Sequence, residues 1–251
     1  MLLGVGPEVH KLNNGIVSSV PYPVDSEFPS VFRRIRSVMP EAPLGSYCDW
    51  NPITFGIVEN NLGVSNATAR DDELMPMVCD YIRSSKPAFL FVQLDSVDGA
   101  GHKYGYGTEE HLKRIHEVDN LVNDAYTAVM DAGMMEVTLF MVIADHGGSP
   151  FNGKGASHGG WSDAEKLVTF AAAGKDVCSG RIPEMNIRDL AAIVLYALGI
   201  DLPEFSENGW TAQIPEGIFE DISLPGYRDI SHLTGAAPRI SRVPHTSEPT
   251  A

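Results

Sequence analysis

Short apolar runs alternate along this chain with longer segments of helical periodicity, and this alternation limits the folds that it can adopt. The runs Ala88–Leu94 and Val137–Ala144 are rich in apolar, β-branched and aromatic residues, as is typical of strands covered on both faces. Between them, Thr108 is placed to cap a long helix with one apolar side, and Gly133 is placed to end it. Successive strand–helix–strand units form right-handed crossovers. The chain therefore predicts an α/β fold with a largely parallel sheet sandwiched between helices.

The same two periodicities predict the remaining elements. We predict helices at Val31–Met39, Asp71–Ser84 and Ile187–Leu198, and strands at Leu44–Cys48 and Leu167–Ala173. Residues 1–30 are rich in Gly, Pro, Asn and Ser and are predicted to form a loop. We expect one domain over residues 1–224, followed by an irregular polar tail over residues 225–251.

The chain is strongly acidic, with a formal net charge of −15 and a pI near 4.8. A nucleic-acid polymer or an anionic membrane surface would be repelled, so neither is expected as a partner. The apolar runs also fall short of the about 20 residues that a membrane span requires. A small anionic substrate would need a local positive centre, which bound divalent cations supply without changing the charge of the sequence.

Candidate metal ligands follow the predicted strands, at the sheet edge where α/β proteins bind their ligands. Asp98 and His102 lie in the loop predicted after one strand, and Asp145 and His146 directly follow another. A third, glycine-lined element contains His158. Carboxylate oxygen and neutral imidazole nitrogen are the usual zinc ligands where thiolates are absent, and a catalytic zinc needs about three of them.

These residues predict one complete metal site and part of a second. Asp98, His102 and His158 make a three-ligand set, and Asp145 and His146 contribute to another. A pair of ions roughly 4 Å apart would bind both the attacking and the leaving oxygen of a phosphoryl transfer. We therefore expect one or two zinc ions, with manganese as the alternative metal.

Each of these elements taken alone has a simpler interpretation. An Asp-His dipeptide after a strand is more often a turn with a surface histidine, and only the combination of three such elements favours a metal site. Glycines beside each candidate ligand support the combination because they permit tight turns and close approach of the backbone. His111 and His116 fall on the polar side of the predicted helix and are expected to be solvated.

Four segments with this order and spacing resemble the type I phosphodiesterase/nucleotide pyrophosphatase family of the alkaline phosphatase superfamily. They are Gly4–His10, Leu94–Gly105, Ala144–Gly148 and Ser157–Glu165, and the resemblance covers roughly Met1 to Trp210. The resemblance implies a two-zinc site that hydrolyses phosphate mono- or diesters through a covalent phospho-enzyme on Ser or Thr. It implies that Asp98, His102 and His158 hold one zinc and that Asp145 and His146 hold the other.

One departure from the family pattern bears on activity. In relatives, the segment that matches Gly4–His10 is preceded by a strand with a further metal-binding Asp and by the nucleophile, and both would lie upstream of Met1. We expect the second zinc to keep two side-chain ligands and the nucleophile to be absent. Asn14 is the candidate for the family's amide that binds a phosphoryl oxygen. The sheet would also lack a strand, and its exposed edges would allow an oligomer to form.

Two functions of different class follow from these observations. The first is a zinc-dependent hydrolase of phosphate mono- or diesters that acts on a small phosphorylated substrate. The second is a hydrolytically inactive metal-binding domain that binds phosphorylated ligands or a partner. A third class, a sulfatase or a phosphoglycerate-mutase-like relative, shares the metal chemistry but would need a different nucleophile segment.

Overall fold

The computed structural model describes residues 1–149, 157–174, 176–182 and 184–219, in which helices and strands alternate. The helices are α1 (Pro7–His10), α2 (Asn14–Ser19), α3 (Val31–Val38), α4 (Pro52–Ile57), α5 (Asp71–Ser85), α6 (Ser96–Tyr104), α7 (Glu109–Asp131), α8 (Asp163–Lys166) and α9 (Asp189–Ala197). The strands are β1 (Leu44–Cys48), β2 (Ser65–Ala67), β3 (Phe89–Gln93), β4 (Phe140–Ile143) and β5 (Phe170–Ala173). The predicted tail, residues 225–251, lies outside the described residues.

The centre of the fold is a three-stranded parallel sheet in the order β2-β1-β3. Strand β1 pairs with β3 from Leu44 opposite Phe89 to Cys48 opposite Gln93. Every residue of β1 is buried. Its side chains alternate between two apolar clusters, with Leu44 in one and Tyr47 in the other. A parallel sheet covered on both faces confirms the predicted α/β class.

Helices on the two faces of this sheet bury the two clusters. On one face, α3 and α9 pack against β3, with Phe32, Ile35 and Leu195 all 0% exposed. On the other face, α5 and α7 pack together over Leu90 and Val92 of the same strand. Full burial of a large apolar side chain stabilises the fold by about 1.5–3 kcal/mol. These clusters therefore hold the carboxyl ends of the strands in fixed positions.

The last two strands differ from the expected parallel arrangement, because β4 and β5 pair in an antiparallel, two-stranded sheet. Their register runs from Phe140 opposite Ala173 to Ile143 opposite Phe170. A parallel pair needs a long crossover connection, usually a helix that covers the sheet. The described part of this connection contains only α8, which has four residues and ends shortly before β5. The chain therefore returns beside β4 in the opposite direction.

Strands β3 and β4 contact the same two clusters without being hydrogen-bonded to each other. Phe91 and Met141 pack against the first cluster, and Leu90 and Phe140 pack against the second. Among the strands of the described residues, β3 pairs only with β1 and β4 pairs only with β5. Each residue of β3 consequently keeps intermediate exposure, although this strand was predicted to be covered on both faces. Association of two chains through these edges stays a prediction.

The amino-terminal segment contains two short helices where a loop was predicted. Pro7 begins α1, and the Asn13 side chain caps α2 by accepting a hydrogen bond from the Ile16 amide at 3.1 Å. Both are ordinary helix-start signals, which the glycine and proline content of the segment obscured. Within the described ranges, no helix is long and apolar enough to cross a membrane.

Candidate metal centre

Helix α6 carries two of the predicted ligands, where a loop had been expected. Asp98 and His102 lie four residues apart on this helix, so their side chains project from the same face. Gly99 and Gly101 in the same segment favoured the loop interpretation. The spacing of the two ligands was the signal for a helix, because it matches about one turn.

The start of α6 is fixed by a buried carboxylate that the sequence did not single out. Asp71, 4% exposed at the start of α5, accepts hydrogen bonds from the backbone amides of Asp95 at 2.9 Å and Ser96 at 3.1 Å. The Ser96 hydroxyl donates to the same carboxylate. The side chain of Asp71 thus satisfies helix-terminal N–H groups that have no partner within α6. This anchor joins α5 to the helix that presents Asp98.

Asp98, His102 and His158 form a compact group of three donors. Their ligand atoms all lie within 4.8 Å of one another. Oδ2 of Asp98 is 3.3 Å from Nε2 of His102 and 3.9 Å from Nε2 of His158. Tetrahedral zinc with bonds of about 2 Å separates two donors by roughly 3.3 Å. The three residues therefore fit one ion with only small side-chain adjustment.

Asp145 and His146 lie beside this group. The His146 ring stacks on the His158 ring, with centroids 3.8 Å apart and an interplanar angle of 17°. Nδ1 of His146 is 2.9 Å from the Gly147 carbonyl oxygen, and a proton on Nδ1 donates to that oxygen. In this tautomer Nε2 keeps its lone pair, and it lies 3.7 Å from Oδ2 of Asp145. The fold thus brings all of the predicted metal ligands to one place at the carboxyl ends of β3 and β4.

The segment that carries His158 is tied to the end of β4 by short-range contacts. The Gly147 amide donates to the Glu165 carbonyl oxygen at 2.9 Å, and a Cβ on Gly147 would lie 2.0 Å from the Ala164 carbonyl oxygen. The Glu165 carboxylate also accepts from the Gly160 amide at 2.8 Å. With Ser162 it forms a capping box at the start of α8. Glycine at position 147 is therefore required for this close approach.

The electrostatic surroundings of the group are strongly negative. Burial, together with the charges of Asp98, Asp71 and Asp145, raises the pKa of Asp95, although a hydrogen bond from Gln93 opposes this shift. Burial and the neighbouring His146 lower the pKa of His158, which keeps its imidazole neutral at physiological pH. Neutral imidazole is the form that binds metal, and a divalent cation would relieve the repulsion among the carboxylates.

Tyr106 contacts the group and His111 contacts Tyr106, and neither contact was predicted from the sequence. The Tyr106 hydroxyl donates a hydrogen bond to Oδ1 of Asp98, and burial and this hydrogen bond raise the pKa of Tyr106. His111, expected to be solvated, is 9% exposed because its ring packs against that of Tyr106 at 5.4 Å. Its Nδ1 accepts a hydrogen bond from the Gly107 amide at 3.2 Å. His116 is exposed, as predicted.

Asn14 occupies the first turn of α2 and is exposed. Its carbonyl oxygen accepts a hydrogen bond from the Ser18 hydroxyl at 2.6 Å, which is a contact within the helix. The proposed role of its amide in binding a phosphoryl oxygen stays a prediction.

Together, the parallel sheet and the donors at its carboxyl end define an α/β protein with a candidate metal centre. The family described as type I phosphodiesterase / nucleotide pyrophosphatase matches residues 18–193. This match covers more than half of the chain, which therefore belongs to that family.

Individual relatives are distant. Ectonucleotide pyrophosphatase/phosphodiesterase family member 1 of Mus musculus is 26% identical over 95 residues, which is 37% of this chain and 10% of the relative. Murine ectonucleotide pyrophosphatase/phosphodiesterase 5, solved as an inactive variant in complex with AMP, has a TM-score of 0.45 at 15% identity, covering 59% of this chain and 44% of its own. Ps i-CgsB in complex with k-i-k-neocarrahexaose has a TM-score of 0.52 at 11% identity, covering 85% of this chain and 62% of its own. The last similarity extends to the fold alone.

Proposed function

We propose that this chain is a metal-dependent hydrolase of phosphate mono- or diesters. In this proposal Asp98, His102 and His158 bind one zinc ion, and Asp145 and His146 contribute ligands to a second. The observation that carries the proposal is the convergence of three donor atoms within 4.8 Å in a member of this family. Manganese is the alternative ion.

The chemistry of the surrounding residues supports this function. Bound divalent ions supply Lewis acidity and positive charge for a phosphoryl group that the acidic chain would otherwise repel. His158 is held neutral, and His146 presents Nε2 because its Nδ1 faces the Gly147 carbonyl oxygen at 2.9 Å. The substrate class is a small phosphorylated molecule.

The second candidate is a hydrolytically inactive domain that binds metal and phosphorylated ligands or a partner. It is favoured by one observation: within the described ranges, Asp145 and His146 make an incomplete set for a second ion. A catalytic zinc needs about three protein ligands. Under this alternative, the chain binds one ion and does not turn over phosphate esters.

The first test is metal content and turnover measured on the same preparations. Protein purified without chelator should contain at least about one equivalent of zinc or manganese, because a catalytic site supplies about three ligands to one ion. His102→Ala and His158→Ala should each lose it. His116→Ala, which removes an exposed imidazole from α7, is the matched control and should retain it. Unchanged metal content in both ligand variants would show that the site is misassigned.

Aryl phosphate mono- and diesters then separate the two candidates. Metal-loaded protein that hydrolyses either ester, with activity lost in His158→Ala, supports the hydrolase. Protein that binds metal stoichiometrically, shows no turnover and still binds phosphate monoesters supports the inactive domain.

A further inference from the structure

Tyr106 holds one oxygen of Asp98, while the other oxygen faces the two imidazoles. The Tyr106 hydroxyl donates to Oδ1 of Asp98. Oδ2 lies 3.3 Å from Nε2 of His102 and 3.9 Å from Nε2 of His158. The two oxygens of a single carboxylate therefore have separate partners. One is occupied by a neutral donor from the protein, and the other points into the three-donor group.

The position of the Tyr106 ring depends on two glycines from different elements. A Cβ on Gly101 of α6 would lie 2.3 Å from the ring, and a Cβ on Gly148, after β4, would lie 2.4 Å from it. Non-bonded atoms do not approach each other this closely, so both positions must lack a side chain for the ring to fit. The ring edge also contacts His102 with centroids 5.9 Å apart. The Tyr106 ring is thus enclosed by α6 on one side and by the segment after β4 on the other.

We propose that Tyr106 is a positioning residue that fixes the Asp98 carboxylate for metal binding through Oδ2 alone. The proposal rests on the metal centre proposed above. Rotation of an Asp carboxylate about its last torsion is otherwise soft, so an unrestrained Asp98 samples one-oxygen and two-oxygen geometries. A hydrogen bond to Oδ1 removes this freedom before the ion arrives, and such outer contacts commonly contribute about 10- to 100-fold to metal affinity.

Tyr106→Phe tests the proposal because it retains the ring between the two glycines and removes only the hydroxyl. We expect zinc affinity to fall by about 10-fold or more, with unchanged stoichiometry and an unchanged melting temperature of the metal-free protein. The measurement is a competition titration against a chromogenic chelator. Tyr104→Phe is the matched control, since Tyr104 is exposed on α6 and its ring contacts Lys103. This control should bind zinc as the unchanged chain does.

Bound Co²⁺ provides a second readout that a purely structural role would not change. The visible spectrum of Co²⁺ depends on coordination number, so Tyr106→Phe should alter its intensity or position by permitting two-oxygen binding. If Tyr106→Phe does not fold, Tyr106→Met, which fills the space with a flexible apolar chain, carries the same expectation.

The outcomes separate this proposal from the one on which it rests. Equal zinc affinities and equal Co²⁺ spectra for the unchanged chain and Tyr106→Phe would overturn the positioning role and leave the metal centre intact. Absence of metal binding by the unchanged chain would overturn both.

Discussion

The carboxylates behind the candidate metal centre interact directly with one another. Burial, followed by a hydrogen bond and repulsion from Asp71, raises the pKa of Asp49, and the charge of Asp95 adds to the shift. The Asp71 carboxylate itself accepts hydrogen bonds from two backbone amides and the Ser96 hydroxyl. Asp49 therefore takes up a proton more readily than an ordinary aspartate does.

Asp49→Asn should stabilise the metal-free protein at neutral pH. A folded-state pKa raised above the unfolded value of about 3.9 means that protonated Asp49 contributes stability at low pH, and this stability is lost as pH rises through the folded pKa. Asparagine keeps a donor for Asp71 without the charge. The melting temperature should exceed that of the unchanged chain at about pH 7, and the gain should shrink toward about pH 4.

Asp72→Asn is the control for this prediction, because the Asp72 side chain is 74% exposed and pairs only at the surface with Arg70. An equal gain in both variants would show that general charge reduction, and not the Asp49–Asp71 contact, is responsible.

At the scale of single residues, the sequence predicted the metal-binding candidates and missed the residues that support them. Aspartate and histidine next to glycine after a strand are recognisable by chemical type. Asp71 and Tyr106 are not, because each acquires its role only from a contact made by the folded chain. The Asp71 carboxylate reaches the amide of Ser96, which lies 25 residues downstream. Tyr106 depends on Gly148 at the end of another strand.

Among the elements, α6 combines poor helix formers with the ligands that it presents. A Cβ added to Gly99 would meet no atom within 4 Å, whereas one added to Gly101 would meet the Tyr106 ring. Glycine in a helix interior costs about 0.5–1 kcal/mol relative to alanine. One glycine in α6 is therefore replaceable, and the other is required by packing.

Gly99→Ala and Gly101→Ala should have opposite effects. Gly99→Ala should raise the free energy of unfolding by up to about 1 kcal/mol and leave zinc affinity unchanged. Gly101→Ala should lower the free energy of unfolding by about 1–3 kcal/mol through overpacking, and should weaken zinc binding by displacing Tyr106. Denaturant unfolding of metal-free protein and zinc titration measure the two quantities. Gly101→Ala with unchanged zinc affinity would contradict the expected displacement.

Elements with strong periodicity were predicted well. Strand β1 has the predicted bounds, and α5 differs from its prediction by one residue at its end. Helix α6 was not predicted, because its two glycines indicated a loop, although the four-residue spacing of Asp98 and His102 indicated a helix. The antiparallel pairing of β4 with β5 was not predictable from the strands themselves, since it depends on the short α8 connection and on tertiary contacts.

The whole molecule carries a formal net charge of −15, and several carboxylates converge at its candidate metal centre. Their mutual repulsion opposes folding of the metal-free chain. An ion that binds only the folded state stabilises it by mass action. Metal occupancy and thermal stability should therefore change together.

Removal of metal with a chelator should lower the melting temperature. At a free zinc concentration of about 100 times the dissociation constant, binding adds about 2.7 kcal/mol. For a chain of 251 residues this corresponds to a shift of about 5–10 °C. Calorimetry with and without chelator measures it. His158→Ala should show no shift, and a shift of equal size in that variant would place the stabilising ion elsewhere.

For the whole molecule, the sequence correctly predicted the α/β class and the family, because both follow from the order of elements and ligands along the chain. The division of the strands into a three-stranded and a two-stranded sheet was not predicted in this form. Which strands become neighbours depends on how the helices pack across both faces, and single-chain periodicity does not contain that information.

If His146 and His158 both hold metal, as proposed, the stacking of their rings limits how closely the two ions can approach. Imidazole binds an ion in the plane of its ring, and the two ring centroids are 3.8 Å apart at an angle of 17°. The two ring planes are consequently separated by about one ring thickness. That spacing is close to the roughly 3.5–4 Å between ions in two-metal hydrolases. The contact between the rings would thus set a lower limit on the separation of ions held by these two imidazoles.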